Sequence, residues 1–141
     1  MFKSKLKRIL LIDDNEADNF LHERVIRKAN CAEHIIAKES AIEALAYLQS
    51  AENGVFPQPD LIFLDINMPG MNGWEFLEEY DKLDKMQKAR IVLVMLTTSL
   101  NQRDEEKSKE DTNIDNFMHK PLTNEMLVGV FREHFPEIFA A

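Results

Sequence analysis

The chain has 141 residues, 45% of them hydrophobic and 30% charged, with a formal net charge of -8 at pH 7, which is room for one domain with a real core and too little for two. So acidic a surface repels phosphate backbones and argues against nonspecific nucleic-acid binding. The longest apolar run, Ile91 to Leu96, falls far short of the roughly 18 residues of a membrane span, and Ile9 to Ile12 is shorter than the about 7 to 15 apolar residues of a signal peptide, so a cytoplasmic protein off the membrane is expected.

Short apolar runs alternate with segments of helical period, the pattern of β/α units around a parallel sheet. The first predicted strand, Arg8 to Ile12, ends in Asp13-Asp14, and the helix after it takes its apolar face from Ala17, Phe20, Leu21 and Val25. Cys31, the single cysteine, allows no internal disulfide and reads as a small packed residue near the end of that helix. Glu33 to Ala37 is the second strand, and it delivers Lys38, Glu39 and Ser40. Ser40-x-x-Glu43 marks the start of a helix carrying Ile42, Leu45 and Ala46 on one face.

The third strand, Asp60 to Leu64, runs straight into Asp65 and a loop with Asn67, Pro69, Gly70 and Gly73. Asn72-x-x-Glu75 then opens a helix with Phe76, Leu77, Tyr80 and Leu83 on its buried side. The fourth strand, Arg90 to Leu96, leads to Thr97-Thr98-Ser99, and Ser99-x-x-Gln102 marks the next helix start. Asn101 to Asp111 contains no apolar residue. As a helix it has no stripe to bury and leans on Leu100, on residues beyond Thr112 and on pairs such as Glu105 with Lys109, which makes it the least anchored element. The fifth strand, Asp115 to His119, is followed by Lys120-Pro121 and a helix carrying Met126, Leu127, Val130 and Phe131. One domain over 1–141, with a core from about 7 to 135 and no output domain, is expected.

Ligands of an open parallel sheet bind outside the carboxyl ends of its strands. Converging there are Asp13 and Asp14, Asp65, Thr97 and Lys120. Unpartnered acids so placed repel one another and need a cation or raised pKa values. Magnesium fits, because it takes oxygen ligands and is commonly held by one or two carboxylates with phosphate oxygens. A lysine and a hydroxyl then remain for an anion such as a phosphoryl group, which an aspartate can accept covalently. Each residue alone also has a plainer reading: Asp13-Asp14 as a turn or cap, Thr97 to Ser99 as a cap, Lys120-Pro121 as a strand end.

Taken in order, LLIDDNEADN, DLIFLDINMPGMNGWEFL, IVLVMLTTS and FMHKPL resemble the receiver domains of bacterial two-component response regulators, the CheY-like family, over nearly the whole chain. The resemblance implies a flavodoxin-like, three-layer α/β fold with a doubly wound five-stranded parallel sheet in the order 2-1-3-4-5. It implies a phosphoacceptor protein, not an enzyme, in which Asp65 takes a phosphoryl group from a sensor histidine kinase or histidine phosphotransfer protein and signals to a downstream protein that the chain does not specify. By the same likeness, Asp13, Asp14, Asp65 and the carbonyl of Asn67 hold Mg2+, Lys120 and Thr97 contact the phosphoryl oxygens, and Thr97 and Phe117 form the switch. Phe117 lacks the hydroxyl many relatives carry there, Thr98 is bulkier than the residue usual after the hydroxyl, and His119 stands where apolar residues are frequent.

Two rival readings remain open: an aspartyl-phosphate hydrolase, for which Asn67 sits where a second acid is expected, and a degenerate receiver that only binds protein. His22, His34, His119 and His134 lack ligand spacing for a transition metal.

Overall fold

Strands and helices alternate along the chain in the computed structural model, which describes residues 2–88 and 92–138. In order they are β1 (Leu6–Ile12), α1 (Glu16–Ala29), β2 (Ala32–Lys38), α2 (Ala41–Leu48), β3 (Leu61–Leu64), α3 (Gly73–Asp81), β4 (Val92–Thr97), α4 (Gln102–Glu110), β5 (Asn116–His119) and α5 (Asn124–His134), with a short 3-10 turn at Lys85–Gln87. Every strand pairing is parallel and the sheet order is β2-β1-β3-β4-β5, the flavodoxin-like arrangement expected. Arg90 and Ile91, the predicted start of the fourth strand, lie outside the described residues.

The central strands are apolar on both faces because each face is covered by helices. Alternation divides them: Ile9, Leu11, Phe63, Val94 and Leu96 pack with Ile26 of α1 and Leu127, Val130 and Phe131 of α5. Leu10, Ile12, Ile62, Leu64, Leu93 and Met95 pack with α2 and α3 through Ala44, Leu48, Phe76 and Tyr80. Each such fully buried leucine, isoleucine or phenylalanine contributes about 1.5–3 kcal/mol. The strands are therefore held stiffly from both sides, and the residues just beyond their carboxyl ends are presented along one edge.

Local signals account for most helix ends. Asn15 accepts from the Asp18 N–H at the start of α1, Ser40 from Glu43 N–H at α2, and Asn72 and Glu75 form a reciprocal capping box at α3. Asn30 closes α1 in the left-handed region (φ 56°), which asparagine tolerates. The expected cap for α4 is displaced: Asn101 accepts from Arg103 N–H, while the Ser99 hydroxyl turns to Asp104.

Strand starts and two helix faces also differ from expectation: β1 opens at Leu6 and β2 at Ala32, ahead of the expected Arg8 and Glu33. Asp60 and Asp115 precede β3 and β5 instead of opening them, and their carboxylates accept from backbone N–H groups of Lys7 and Leu93 on neighbouring strands. On α1 the buried residues are Asn19, His22 and Ile26, whereas Phe20 and Leu21 are 61% and 50% exposed. On α2, Leu45 is buried as expected but Ile42 is 64% exposed, its place inside taken by Ala41, Ala44 and Leu48. The α3 and α5 faces fall where periodicity puts them, with Leu83 and Met126 at their half-buried margins.

Candidate functional site

Three strand ends build the site. Asp13 follows β1, and its backbone is fixed from both sides: its N–H donates to Lys38 O (3.1 Å) and its carbonyl accepts from Asn19 Nδ2 (2.8 Å). Asp65 follows β3, with its N–H donating to Ile12 O (2.9 Å). Lys120 follows β5, with its N–H donating to Thr97 O (2.8 Å) at the end of β4; the Lys120–Pro121 peptide is cis. Asp13 and Asp65 are buried and Asp14 is exposed.

Carboxylate oxygens of Asp13, Asp14 and Asp65 come within 4.8 Å of one another. The Lys120 ammonium lies among them, against Asp13 Oδ2, 2.9 Å from Asp18 Oδ2 and 3.5 Å from Asp65 Oδ1. Burial, and then the charge of Asp13, push the Asp65 carboxyl up from 3.8 to about 6 against the opposing pull of Lys120. Burial alone would depress the Lys120 ammonium, but its contacts with Asp13 and Asp18 and the field of Asp65 hold its pKa above the ordinary lysine value. His22, buried beneath on α1, is lowered by burial and by Lys120. The acids thus outnumber the ammonium, and the strain of that excess falls on Asp65. An all-oxygen set at this spacing, with a carboxyl driven toward protonation first by burial and then by the charge of Asp13, suits a hard divalent cation.

The loop after Asp65 is held close to the strand end. Gly73 N–H donates to Ile66 O at 2.7 Å, and a Cβ on Gly73 would stand 2.5 Å from the Asp65 carbonyl oxygen, so α3 starts against the backbone of the acid itself. Gly70 adopts φ 80°, which glycine supplies at no steric cost. The cavity lined by Asp13, Asn19, His22 and Asp65 is about 10 Å³, room for about one water. Any group that reacts with Asp65 therefore comes from the solvent side.

Of the residues expected here, Asp13, Asp14, Asp65 and Lys120 are brought together. Thr97 is fully buried at the end of β4, and its hydroxyl accepts from Ser99 N–H at 3.0 Å. Asn67 is exposed on the loop, and Phe117 is half-buried with its ring edge-on to His119 at 5.6 Å. Thr98 is exposed, and His119 Nε2 meets Ser99 O at 3.0 Å. Cys31 is buried and its thiol pushed up to about 11 by burial, in keeping with a packing role.

Sequence reasoning missed Asp18, Asn19 and His22, because acids and amides in a first helical turn normally read as capping or dipole residues. It also missed how α4 is anchored. Asp104 accepts from Ser99 Oγ (2.6 Å) and from Trp74 Nε1 of α3 (3.1 Å), and Lys107 lies 4.7 Å from the centre of the Trp74 ring. No Glu105–Lys109 ion pair occurs among the described residues; α4 is held by this polar clasp, with only Ser108 buried.

A parallel 2-1-3-4-5 sheet with acids and a lysine at its carboxyl edge defines a class, and comparison with known proteins names it. The family model for the response regulator receiver domain matches residues 9–132, and the chain belongs to that family, the phosphoacceptors of two-component phosphorelay signalling. It is similar to the response regulator Rcp1 of Synechocystis sp., with 36% identity over 99 residues, 70% of this chain and 66% of Rcp1. The matched segment spans 49% of the rice two-component response regulator ORR1, so the chain covers less than two thirds of these relatives.

Among solved structures, a two-component response regulator from Cytophaga hutchinsonii superposes with a TM-score of 0.76 at 32% identity, covering 92% of this chain and 96% of that one. The Mn2+-bound form of Rcp1 gives 0.70 at 31% identity, with coverage of 89% and 91%. The phosphorylated cyanobacterial phytochrome response regulator RcpA gives 0.70 at 29%, with coverage of 91% and 90%.

Proposed function

We propose that Asp65 is the phosphoacceptor of this receiver, that it takes its phosphoryl group from a phosphohistidine of a sensor kinase or phosphotransfer protein, and that Asp13, Asp14, Asp65 and the Asn67 carbonyl hold Mg2+ during the transfer. The observation that carries this reading is the Lys120 ammonium set among Asp13, Asp18 and Asp65 at the tip of a rigid, doubly covered strand. That Rcp1 takes up Mn2+ at a comparable fold and RcpA is known phosphorylated supports it.

In the transfer, a carboxylate oxygen of Asp65 attacks phosphorus while the P–N bond to the donor imidazole breaks, and the imidazole nitrogen keeps the electron pair and takes up a proton. β3 aims the nucleophile, and its backbone N–H bond to Ile12 keeps it from following the loop. Lys120 supplies a donor for the oxygens that gain charge, and the Thr97 hydroxyl, whose oxygen accepts from Ser99 N–H, has its own O–H to donate to one of them. A bound divalent cation would supply Lewis-acid charge to the phosphoryl oxygens and lower the repulsion among the acids. No helix among the described residues is long and apolar enough to cross a membrane, and we place the reaction in the cytoplasm.

The test is incubation with a small acyl phosphodonor and Mg2+, followed by intact-mass and peptide mass spectrometry. A slowly decaying adduct on the Asp65 peptide, absent in Asp65→Asn and absent with chelator, is expected. An adduct on another residue, or rapid multiple turnover of the donor, overturns the proposal.

A further inference from the structure

Lys120 has a partner that the metal-and-acceptor cluster does not require. The Asp18 carboxylate reaches in from the first turn of α1 to 2.9 Å from the ammonium, closer than Asp65 at 3.5 Å. We infer that Asp18 is a positioning residue that restrains Lys120 on the α1 side of the site and so sets how long the phosphoryl group survives on Asp65. The inference rests on the reading of Asp65 as the acceptor.

The ammonium has three N–H donors and three carboxylates around it. Its two shorter contacts, to Asp13 and Asp18, both draw it toward β1 and α1; the contact to the acceptor is the longest. Asp13 also belongs to the acid cluster, where a bound cation would draw on its oxygens. Asp18 lies outside that cluster, so its tie to Lys120 persists when a cation enters. Lys120 has a side-chain exposure of 8%, against 30% for Asp18, so water replaces neither partner of the ammonium easily but reaches the far side of Asp18. A phosphoryl group on Asp65 must compete for the ammonium against a carboxylate that is already seated. The tie to Asp18 therefore withholds part of the lysine's charge from the acyl phosphate.

Two structural details keep the substitution clean. The Asp18 backbone N–H is the one capped by Asn15, at 3.1 Å, and Asp18→Asn leaves that bond in place. Glu16, an acid in the same first turn, has no contact with Lys120 among those described and serves as the charge control.

The experiment phosphorylates the wild type, Asp18→Asn, Asp18→Glu and Glu16→Gln with the same small acyl phosphodonor and Mg2+, removes the donor, and follows loss of the adduct by intact mass. The half-life of the adduct is expected to lengthen about fivefold in Asp18→Asn, the scale of a partly exposed ion pair. It should return toward the wild-type value in Asp18→Glu and stay unchanged in Glu16→Gln. Mere loosening of the fold shortens the half-life or lowers the yield, so lengthening with rescue is a signature that a structural role does not produce. An unchanged or shortened half-life in Asp18→Asn, or equal lengthening in Glu16→Gln, overturns the inference while leaving the acceptor assignment standing. Failure of the wild type to form an adduct on Asp65 overturns both.

Discussion

Replacing Gly73 with alanine puts a methyl carbon 2.5 Å from the carbonyl oxygen of Asp65 and 2.9 Å from Cα of Ile66, against an ordinary contact of 3.4–4 Å. Both atoms are backbone, so no side chain can rotate aside. Gly73 N–H is also tied to Ile66 O at 2.7 Å, which prevents α3 from sliding away without breaking a hydrogen bond at its own start. Overpacking of this kind costs about 1–3 kcal/mol, and alanine returns about 0.5–1 kcal/mol by restricting the unfolded chain. The net loss is at most about 2.5 kcal/mol and centres on about 1–2 kcal/mol, a fall in Tm of roughly 3–7 °C for a chain of 141 residues. Because the atom displaced is the carbonyl of Asp65, the proposed acceptor, phosphorylation by a small phosphodonor should slow by about tenfold or more. Gly129 supplies the internal contrast: it is exposed within α5, and a Cβ added there would meet nothing within 4 Å, so Gly129→Ala should gain about 0.5–1 kcal/mol and leave phosphorylation alone. Urea denaturation followed by circular dichroism, in metal-free buffer, reads both. If Gly73→Ala matches the wild type in midpoint and rate, or Gly129→Ala loses stability, the steric argument is refuted.

Between its unfolded value of 3.8 and about 6, Asp65 binds more proton in the folded chain than in the unfolded one, so its contribution to stability falls as pH rises through that window. Asp65→Asn should therefore gain on the metal-free wild type as pH rises from 4 to 7, by on the order of 2 kcal/mol, less whatever its lost contact with Lys120 costs; a difference in denaturation midpoints that shrinks over that range contradicts this. Cation binding and phosphorylation both need the ionised carboxylate, and both should weaken below about pH 6. A flat profile for Mg2+ affinity by calorimetry argues that Asp65 is not a ligand. Asp104→Ala removes the acceptor shared by Ser99 and Trp74 and should speed hydrogen exchange in α4 by about tenfold while the sheet stays protected, since a bond to a charged acceptor is worth about 1.5–3 kcal/mol. Unchanged exchange would show that the clasp does not anchor the helix. Treatment of the wild type with Mg2+ and beryllofluoride should alter the same exchange, along with the emission of Trp74, the one tryptophan; if neither moves, α4 takes no part in the response.

The features legible in the chain and those hidden from it divide along a physical line. Strands buried on both faces must be apolar throughout, so Leu61 to Leu64 announces a central strand, and the first polar residue after it, Asp65, announces the strand's working end. Caps that act within three residues, such as Ser40 with Glu43 and Asn72 with Glu75, are equally plain because both partners are adjacent in the chain. The α1 face failed because periodicity assumes that the buried side is the apolar one. Here the helix starts beside the acids, and its inward side is chosen by Asn19 bonding the Asp13 carbonyl and Asp18 bonding Lys120, 102 residues away in sequence. Those bonds turn the polar side of the helix toward the charged cluster and leave Phe20 and Leu21 on the outer side, although a buried polar group left without a partner costs only about 1–3 kcal/mol, no more than burying those two side chains would contribute. Distant polar partners account for α4 as well. A helix without an apolar stripe looked loose, yet Asp104 holds it to Trp74 and Ser99 by contacts that span 30 residues in one case and 5 in the other. Its anchoring is polar and leads through Ser99 to the Thr97 hydroxyl, which accepts from the Ser99 backbone N–H, so the element with the weakest hydrophobic hold is tied to the hydroxyl at the end of β4. A helix fixed only by apolar burial has no bond to follow at Thr97; one fixed through Ser99 is expected to respond when the Thr97 hydroxyl takes a new partner, and the exchange of α4 under Mg2+ and beryllofluoride reads that response.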